Sequence, residues 1–292
     1  MEPSLIHRLE ADLAQHAERR ITISSERSVG GGSINDAYRL DTTAGTYFVK
    51  TNQADRFPSM FEAEADGLRR LREVSAILTP ELISTGELDD ITYLLMEWVE
   101  SGPRRSNYWE QFGRELAAVH RNSADHFGLE RDNYIGSLPQ SNTLHDQWSG
   151  FFIHCRMEPQ VKMARDQNRL GMGDVLRFER LYGRLGALLP KEPPALLHGD
   201  LWSGNFLTGP DGGPVLIDPA VYFGHREMDI AMTRLFGGFD AEFYTSYNEA
   251  WPMERGWEDR MDLCNLYPLL VHVNLFGGGY RAQVEAILRR FT

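Results

Sequence analysis

The stretch His198-Gly199-Asp200-Leu201-Trp202-Ser203-Gly204-Asn205, with Val215-Leu216-Ile217-Asp218-Pro219 after it, decides the reading of this chain. Asp200 and Asn205 stand five apart, and Asp218 ends a short apolar run thirteen positions beyond Asn205. Leu196-Leu197 leads into the first segment, and Pro210-Asp211-Gly212-Gly213-Pro214 marks a tight hairpin between the two. Phosphoryl transfer needs groups of this kind. One carboxylate orients the attacking hydroxyl and takes its proton, while an amide oxygen and a second carboxylate hold Mg²⁺ on the nucleotide phosphates. An Asp and an Asn before a hairpin are also ordinary turn formers, so the motif needs support from elsewhere in the chain.

That support lies upstream. Ile21 to Ser25 alternates apolar and polar residues as a strand does. Val29-Gly30-Gly31-Gly32-Ser33 follows, then a second extended stretch through Tyr38 and Leu40. Asp41 to Gly45 reads as a turn before Thr46-Tyr47-Phe48-Val49-Lys50, a strand that ends on lysine. Ser59-Met60-Phe61-Glu62 fits a capping box and opens a helix that runs to Glu73. Phe61, Leu68 and Leu71 mark its apolar face, and Glu64 shares that face; Glu62, Asp66, Arg69 and Glu73 fall on the polar side. A carboxylate on the buried side of a helix needs a partner. A strand lysine paired with a helix glutamate is the phosphate-anchoring arrangement of kinases. The Asp-x4-Asn spacing with a later strand-borne Asp also fits the protein-kinase pattern His-Arg-Asp-x4-Asn and Asp-Phe-Gly. Gly199 stands in place of Arg, and Pro219-Ala220 in place of Phe-Gly. These departures point to small-molecule kinases of kinase-like fold.

The 292 residues carry 30 Lys and Arg against 42 Asp and Glu, a formal net charge of −12. That balance disfavours nucleic acid or an acidic membrane as partner. Two cysteines, Cys155 and Cys264, exclude a disulfide scaffold and a Cys-rich zinc site and point to a reducing compartment. No apolar run approaches the ~18 residues of a membrane span. The start Met1-Glu2-Pro3 lacks the basic opening and apolar stretch of a signal peptide, so a cytoplasmic location is expected. Leu5, Ile6, Leu9 and Leu13 predict a helix over 4–19. Leu82 to Glu87, the turn Asp89-Asp90 and Ile91 to Val99 predict a hairpin with a nearly all-apolar, central second strand. After Ser101-Gly102-Pro103 helical patterns dominate, at 106–121, 144–168, 173–188, 226–236 and, in pieces, 258–290. The expected architecture is α+β: residues 1–100 form a small β-rich, nucleotide-binding lobe. Residues 101–292 form a larger, mainly helical lobe with a strand-and-loop insert, for catalysis and substrate binding.

Four segments carry a narrower likeness. His198 to Asn205, Ile217-Asp-Pro-Ala-Val-Tyr-Phe-Gly-His-Arg-Glu227, Leu235-Phe-Gly-Gly-Phe239 and Asn274-Leu-Phe-Gly-Gly-Gly-Tyr280 resemble the fructosamine kinase (ketosamine 3-kinase) family. That family belongs to the aminoglycoside phosphotransferase-like kinases, and the likeness runs from near residue 20 to residue 290. The first motif also fits choline kinases; the Trp after Asp-Leu and the Gly-His-Arg-Glu segment narrow it. The resemblance implies a two-lobed, protein kinase-like fold with ATP and Mg²⁺ as cofactors. It implies phosphorylation of a ketosamine at the 3-hydroxyl of its ketose, with release of the amine afterwards: deglycation. It also implies roles. Asp200 is then the catalytic base, Asn205 and Asp218 bind Mg²⁺, and Lys50 and Glu64 form the phosphate-anchoring pair. Gly30, Gly31, Gly32 and Ser33 cover the nucleotide, and Met96, Glu97, Trp98 and Val99 form the hinge that meets adenine. Some members carry a cysteine at the position of Ser33; the serine here excludes a thiol switch there, and Cys155 and Cys264 read as small buried hydrophobes.

Several residues keep two readings. Trp202 either stacks on the substrate or packs its loop against the helical half; the resemblance favours the substrate. His225, Arg226 and Glu227 are expected on the substrate side, with plain surface charge as the alternative. His198 reads as a loop-fixing residue rather than a base. Asp229 either bonds the loop of Asp200 or favours a helix N-terminus. His272 and Asn274 read as structural. An aminoglycoside- or choline-type kinase is the alternative within the same class, and a catalytically silent nucleotide-binding protein the alternative outside it. The acidic balance suits a cationic acceptor in either kinase.

Overall fold

The computed structural model describes residues 1–30 and 34–292. Gly31, Gly32 and Ser33, three of the four residues expected over the nucleotide, lie outside the described residues. The chain divides into two compact units, Met1–Arg105 with Leu207–Ile217, and Ser106–Phe206 with Asp218–Thr292. Among the described residues no helix is long and apolar enough to cross a membrane.

In the first unit α1 (Pro3–Ala17) precedes β1 (Ile23–Ser28), β2 (Asp36–Thr42) and β3 (Gly45–Gln53); α2 (Met60–Val74), β4 (Leu82–Leu88) and β5 (Ile91–Glu97) follow. The strands form one antiparallel sheet in the order β1-β2-β3-β5-β4. Alternate residues of β5 face opposite sides. Tyr93 and Leu95 pack with Leu5, Leu9 and Leu13 of α1, while Leu94 and Met96 pack with Phe61, Ala65 and Leu68 of α2. A strand covered on both faces has no polar side to show, which is why β5 reads as a continuous apolar run. Each such large side chain contributes about 1.5–3 kcal/mol by leaving water. Pro3 suits the first helical position because its missing N–H has no intrahelical partner there.

Two local expectations are corrected. Lys50 lies inside β3, three residues before its end, opposite Leu94 of β5. Ser59 takes the N-cap position of α2 but makes no side-chain cap bond; its backbone is left-handed, at φ 57°. The capping box does not form: an N-cap residue whose side chain accepts normally has an extended backbone, and Ser59 is left-handed instead.

The second unit runs through α3 (Tyr108–His120), β6 (Asn133–Ile135), β7 (Leu138–Gln140), α4 (Trp148–Phe151), a π-helical turn (Phe152–Met157), α5 (Glu158–Asp166), α6 (Met172–Tyr182), α7 (Leu185–Leu188) and β8 (Ala195–Leu197). The hairpin β9 (Phe206–Thr208) and β10 (Pro214–Leu216) interrupts it and belongs, from Leu207 on, to the first unit; β11 (Tyr222–Gly224), α8 (Glu227–Leu235), α9 (Ala241–Ala250), α10 (Trp257–Phe276) and α11 (Tyr280–Phe291) complete the second. α10 is buried on nearly every side from Met261 to Asn274, the pattern of a helix at the centre of a unit. Trp109, Phe112, Phe206, Phe239 and Phe243 form one aromatic cluster with ring centroids 4.9–6.4 Å apart.

The boundary expected at 100/101 differs from the division observed. Gly102 and Arg105 stay with the first unit, and so does most of the hairpin expected in the second. The Arg105 amide donates to the Gly212 carbonyl at 3.1 Å, its guanidinium pairs with Asp211 at 2.8 Å, and Leu216 N–H donates to Leu78 at 2.9 Å. A Cβ on Gly102 would lie 2.7 Å from the Gly209 carbonyl oxygen, so the two segments are pressed together backbone to backbone.

Candidate active site

The first unit brings together the lysine and glutamate that the sequence singles out. Lys50 Nζ donates to Glu64 Oε1 at 2.7 Å, and both side chains are largely buried. Glu64 reaches inward because it shares the face of α2 that carries Phe61, Leu68 and Leu71, each at most 1% exposed. Such a pair adds little net stability, since desolvating two ions costs several kcal/mol each by rough account. It does hold an ammonium in one place. Gly30 follows β1 by two residues, just after Val29, whose amide donates to the Ala37 carbonyl at 2.8 Å. Asn52 of β3 donates to Asn35 Oδ1 at 2.5 Å.

Of the four residues expected at the adenine hinge, Met96 is buried within the sheet and Glu97 ends β5. The Glu97 amide donates to Glu81 at 2.8 Å and the Trp98 amide to Thr46 at 3.4 Å. Neither of those two N–H groups is available to adenine. Among the described residues no acceptor meets the Val99 amide.

In the second unit, β8 pairs with β11 and delivers the chain into the loop of Asp200. Gly199 sits at φ 82°, and a Cβ there would lie 2.1 Å from the Ala220 carbonyl oxygen. This is the physical reason for glycine where protein kinases have arginine: the backbone is left-handed and a second backbone lies against it. Ala220 N–H donates to the His198 carbonyl at 2.8 Å, so the Asp200 loop and the segment after Asp218 are tied directly.

Asn205 Nδ2 donates to Asp200 Oδ2 at 2.8 Å, to the Asp200 carbonyl at 2.9 Å and to the Asp218 carbonyl at 3.5 Å. One amide group therefore joins all three residues of the motif. Its nitrogen faces Asp200, and among the described residues no donor meets its Oδ1. Asp218 adopts φ 54°, a left-handed backbone uncommon outside glycine though more open to Asp than to most. Burial pushes the Asp200 carboxyl up to about 7; the Asn205 amide opposes this, while the charges of Asp218 and Asp229 add to it.

Asp229, left open in the sequence, bonds the loop. Its carboxylate accepts from the amides of His198 at 2.7 Å and Gly199 at 2.9 Å. It also accepts from His120 Nε2 at 3.1 Å, and the Tyr247 hydroxyl meets Nδ1 of the same ring at 2.7 Å. His198 is fully buried, and its Nδ1 accepts from the Asp200 amide at 3.3 Å, which makes it a loop-fixing residue. His120 and Tyr247 carry no sequence signal for this role: each lies on an ordinary helix face, and the partner they share is remote in the chain.

The expectation that His225, Arg226 and Glu227 face the substrate is corrected. All three are at most 2% exposed. Nε2 of His225 donates to the Pro190 carbonyl at 3.2 Å, and its Nδ1 accepts from the Glu227 amide at 3.3 Å. Arg226 forms two 2.8 Å bonds to Glu192 and lies over the Trp251 ring at 4.0 Å. Glu227 is paired with Arg260 at 2.9 Å. Three polar side chains can be buried this deeply because each finds its partners inside the protein. Trp202, by contrast, is 36% exposed. Its ring covers Gly204, where a Cβ would come 2.3 Å from it, and meets Phe236 edge-on with centroids 5.8 Å apart. Asn274 is buried and donates to Gln160 at 2.8 Å, a structural role.

Comparison with known proteins follows the same lines. The fructosamine kinase family model matches residues 5–292. The chain is 41% identical over 265 residues to a probable ketoamine kinase of Enterococcus faecium, covering 90% of this chain and 94% of that protein. It is 41% identical over 269 residues to a chloroplastic protein-ribulosamine 3-kinase of Arabidopsis thaliana, covering 89% and 80%. A solved structure from Thermobifida fusca under the fructosamine-3-kinase name superposes with a TM-score of 0.86 at 37% identity, over 96% of this chain and 97% of that one. Aminoglycoside phosphotransferase structures superpose at 16–18% identity with TM-scores of 0.53–0.63, a likeness of fold alone. The α+β, protein kinase-like fold is thus shared with both groups, whereas the sequence match singles out one of them: this chain belongs to the fructosamine kinase family.

Proposed function

We propose that the chain is an ATP-dependent kinase that phosphorylates the 3-hydroxyl of a ketosamine, the sugar being of fructosamine or ribulosamine type. The observation that carries this reading is the Asp200 loop. A carboxylate is fixed by Asn205, on a loop whose two preceding amides are held by Asp229, two residues from a half-exposed Trp202. In this reading Asp200 orients the acceptor hydroxyl and takes its proton as the phosphoryl group leaves the nucleotide. Asn205 fixes which way that carboxylate points. Trp202 offers a ring face to the sugar. Lys50, held by Glu64, carries the positive charge for the nucleotide phosphates. The Val99 backbone is the hinge group left for adenine.

The donor set suits Mg²⁺. The Asn205 amide oxygen and the Asp218 carboxylate are hard oxygen ligands, and Mg²⁺ is ordinarily held by one or two protein groups together with phosphates and water. When bound, Mg²⁺ neutralises phosphate charge and favours the ionised form of nearby carboxylates.

The test is an ATP-consumption screen over ribulosamine, fructosamine, aminoglycoside and choline acceptors, with the phosphate position assigned by NMR. Turnover on a ketosamine with phosphate at the 3-position is expected. Turnover confined to an aminoglycoside or choline would replace the acceptor, and nucleotide binding without turnover on any of them would leave only a nucleotide-binding protein.

A further inference from the structure

From Trp202, beside Asp200, the second unit carries a run of aromatic rings whose remaining members have no part in the reading above. Trp202 meets Phe236, at the end of α8; Phe236 lies 4.9 Å from His272 of α10. His272 in turn lies 5.4 Å from Phe276 and 4.9 Å from Tyr280, centroid to centroid. Trp202, Phe236 and Phe276 are the large aromatic side chains most open to solvent among the described residues, at 36%, 37% and 61%. The run is anchored to the loop of Asp200, since a Cβ on Gly238 would lie 2.6 Å from Ser203 Cβ. Its far end is open: Cβ atoms on Gly277, Gly278 and Gly279 would meet nothing within 4 Å.

The chemistry of the run is specific in sign. His272 donates from Nδ1 to the Pro268 carbonyl at 2.7 Å, which leaves Nε2 with a lone pair, and burial holds the ring's pKa below the usual histidine value. Three arginines on or beside these elements are already engaged. Arg169 donates to the Val273 carbonyl of α10. Arg234 stacks on Tyr244 and Trp257, each at 4.6 Å, and Arg281 pairs with Glu285 at 2.8 Å and Asp174 at 3.3 Å. The result is a set of π faces and one neutral acceptor on a molecule of net charge −12. Such faces attract an organic cation and shelter the carbon attached to it. A ketosamine has that form, because its nitrogen is a protonated secondary amine bearing an N-substituent.

We propose that Phe236, His272, Phe276 and Tyr280 form a subsite for the N-substituent of the ketosamine, continuous with Trp202, and that they determine which amines the enzyme accepts. The occupant is an apolar chain or ring next to the ammonium. The proposal rests on the ketosamine reading given above.

The experiment compares three ketosamines with one sugar, built on methylamine, on the side-chain amine of Nα-blocked lysine and on benzylamine. The wild type is expected to favour the lysine and benzylamine compounds over the methylamine compound by tenfold or more in kcat/KM. In Phe236→Ala combined with Phe276→Ala that ratio should fall below threefold, through a rise in KM for the two larger acceptors, while the KM for ATP changes less than twofold. His272→Phe keeps a ring there and should preserve the preference for benzylamine better than His272→Ala does. A wild type indifferent to the amine would overturn the subsite, and so would variants that lower all three ketosamines equally or raise the KM for ATP in step. Failure of every ketosamine alongside turnover of another acceptor would instead overturn the reading beneath it.

Discussion

Asp229 gathers two buried loop amides and an imidazole N–H onto one carboxylate. Burial works against its charge, yet the bond and charge of His120, then His198 and the Gly199 amide, outweigh that and hold its pKa below the usual carboxylate value. A depressed pKa in the folded state means the ionised group stabilises the fold. That contribution is complete above the unfolded value near ~3.9 and is lost as pH falls through the lower folded value. Asp229→Asn should therefore destabilise by about 1–3 kcal/mol at pH 7, the scale of a buried donor left without its acceptor. The gap between wild type and variant in urea unfolding should narrow from pH 5 to pH 3; a gap of constant size would show that the charge plays no part. Lys50 makes a different prediction. Lys50→Met should leave the fold intact and remove at least ~2 kcal/mol of transition-state stabilisation, the scale of one positioned charge. Wild-type kcat/KM in a folded Lys50→Met protein would remove the lysine from the nucleotide site. Lys50 and Glu64 are legible from the sequence because strand and helix periodicity fix where each points. Asp229 is only half legible, since the group it serves is 31 residues away and its histidine partner 109.

Legibility at the scale of the element follows length and periodicity. α1, α2 and the strands of the first sheet repeat their apolar residues over several turns or several alternations, and these emerge close to their expected bounds. The three-residue strands β6, β7, β8 and β11 have no room for a period. α9 goes unread for another reason: of its ten residues only Phe243, Ser246 and Tyr247 are buried, too few to write a stripe. What places α9 is contact with α3. A Cβ on Gly113 of α3 would lie 2.3 Å from the Phe243 carbonyl oxygen, so the two helices meet at a point where only glycine fits. Gly113→Ala should push them apart and lower stability by about 1–3 kcal/mol, the range for overpacking a well-packed core, read as a lower Tm. The same pair supports the active loop, since Phe112 and Phe243 pack on Phe206, which follows Asn205. An unchanged Tm in Gly113→Ala would mean the helices can separate freely, and Phe206 would then owe its position to Trp109 and Phe239. His225 to Glu227 misled the reading for a related reason: their partners Pro190, Glu192 and Arg260 lie more than thirty residues away, and no local pattern announces them.

Net charge is a property of the whole molecule that sequence states outright, and it makes a signed prediction about catalysis. At −12 the protein's far field attracts a cationic acceptor and repels a nucleotide. Raising ionic strength from about 0.01 M to about 1 M shortens the screening length from about 30 Å to about 3 Å. The field is then lost at a distance, while the pairing of buried groups such as Lys50 and Glu64 is screened much less. The kcat/KM for a ketosamine should accordingly fall with salt while kcat, measured at saturating acceptor, stays level, because only encounter is affected. A ketosamine that carries a carboxylate on its amine part has no net charge to be drawn in, so its kcat/KM should respond less steeply than that of a simple alkyl compound. The comparison between these two acceptors removes general salt effects on the enzyme. Equal slopes for the two would show that attraction over distance does nothing here, and that the acidic surface serves solubility rather than capture of the amine.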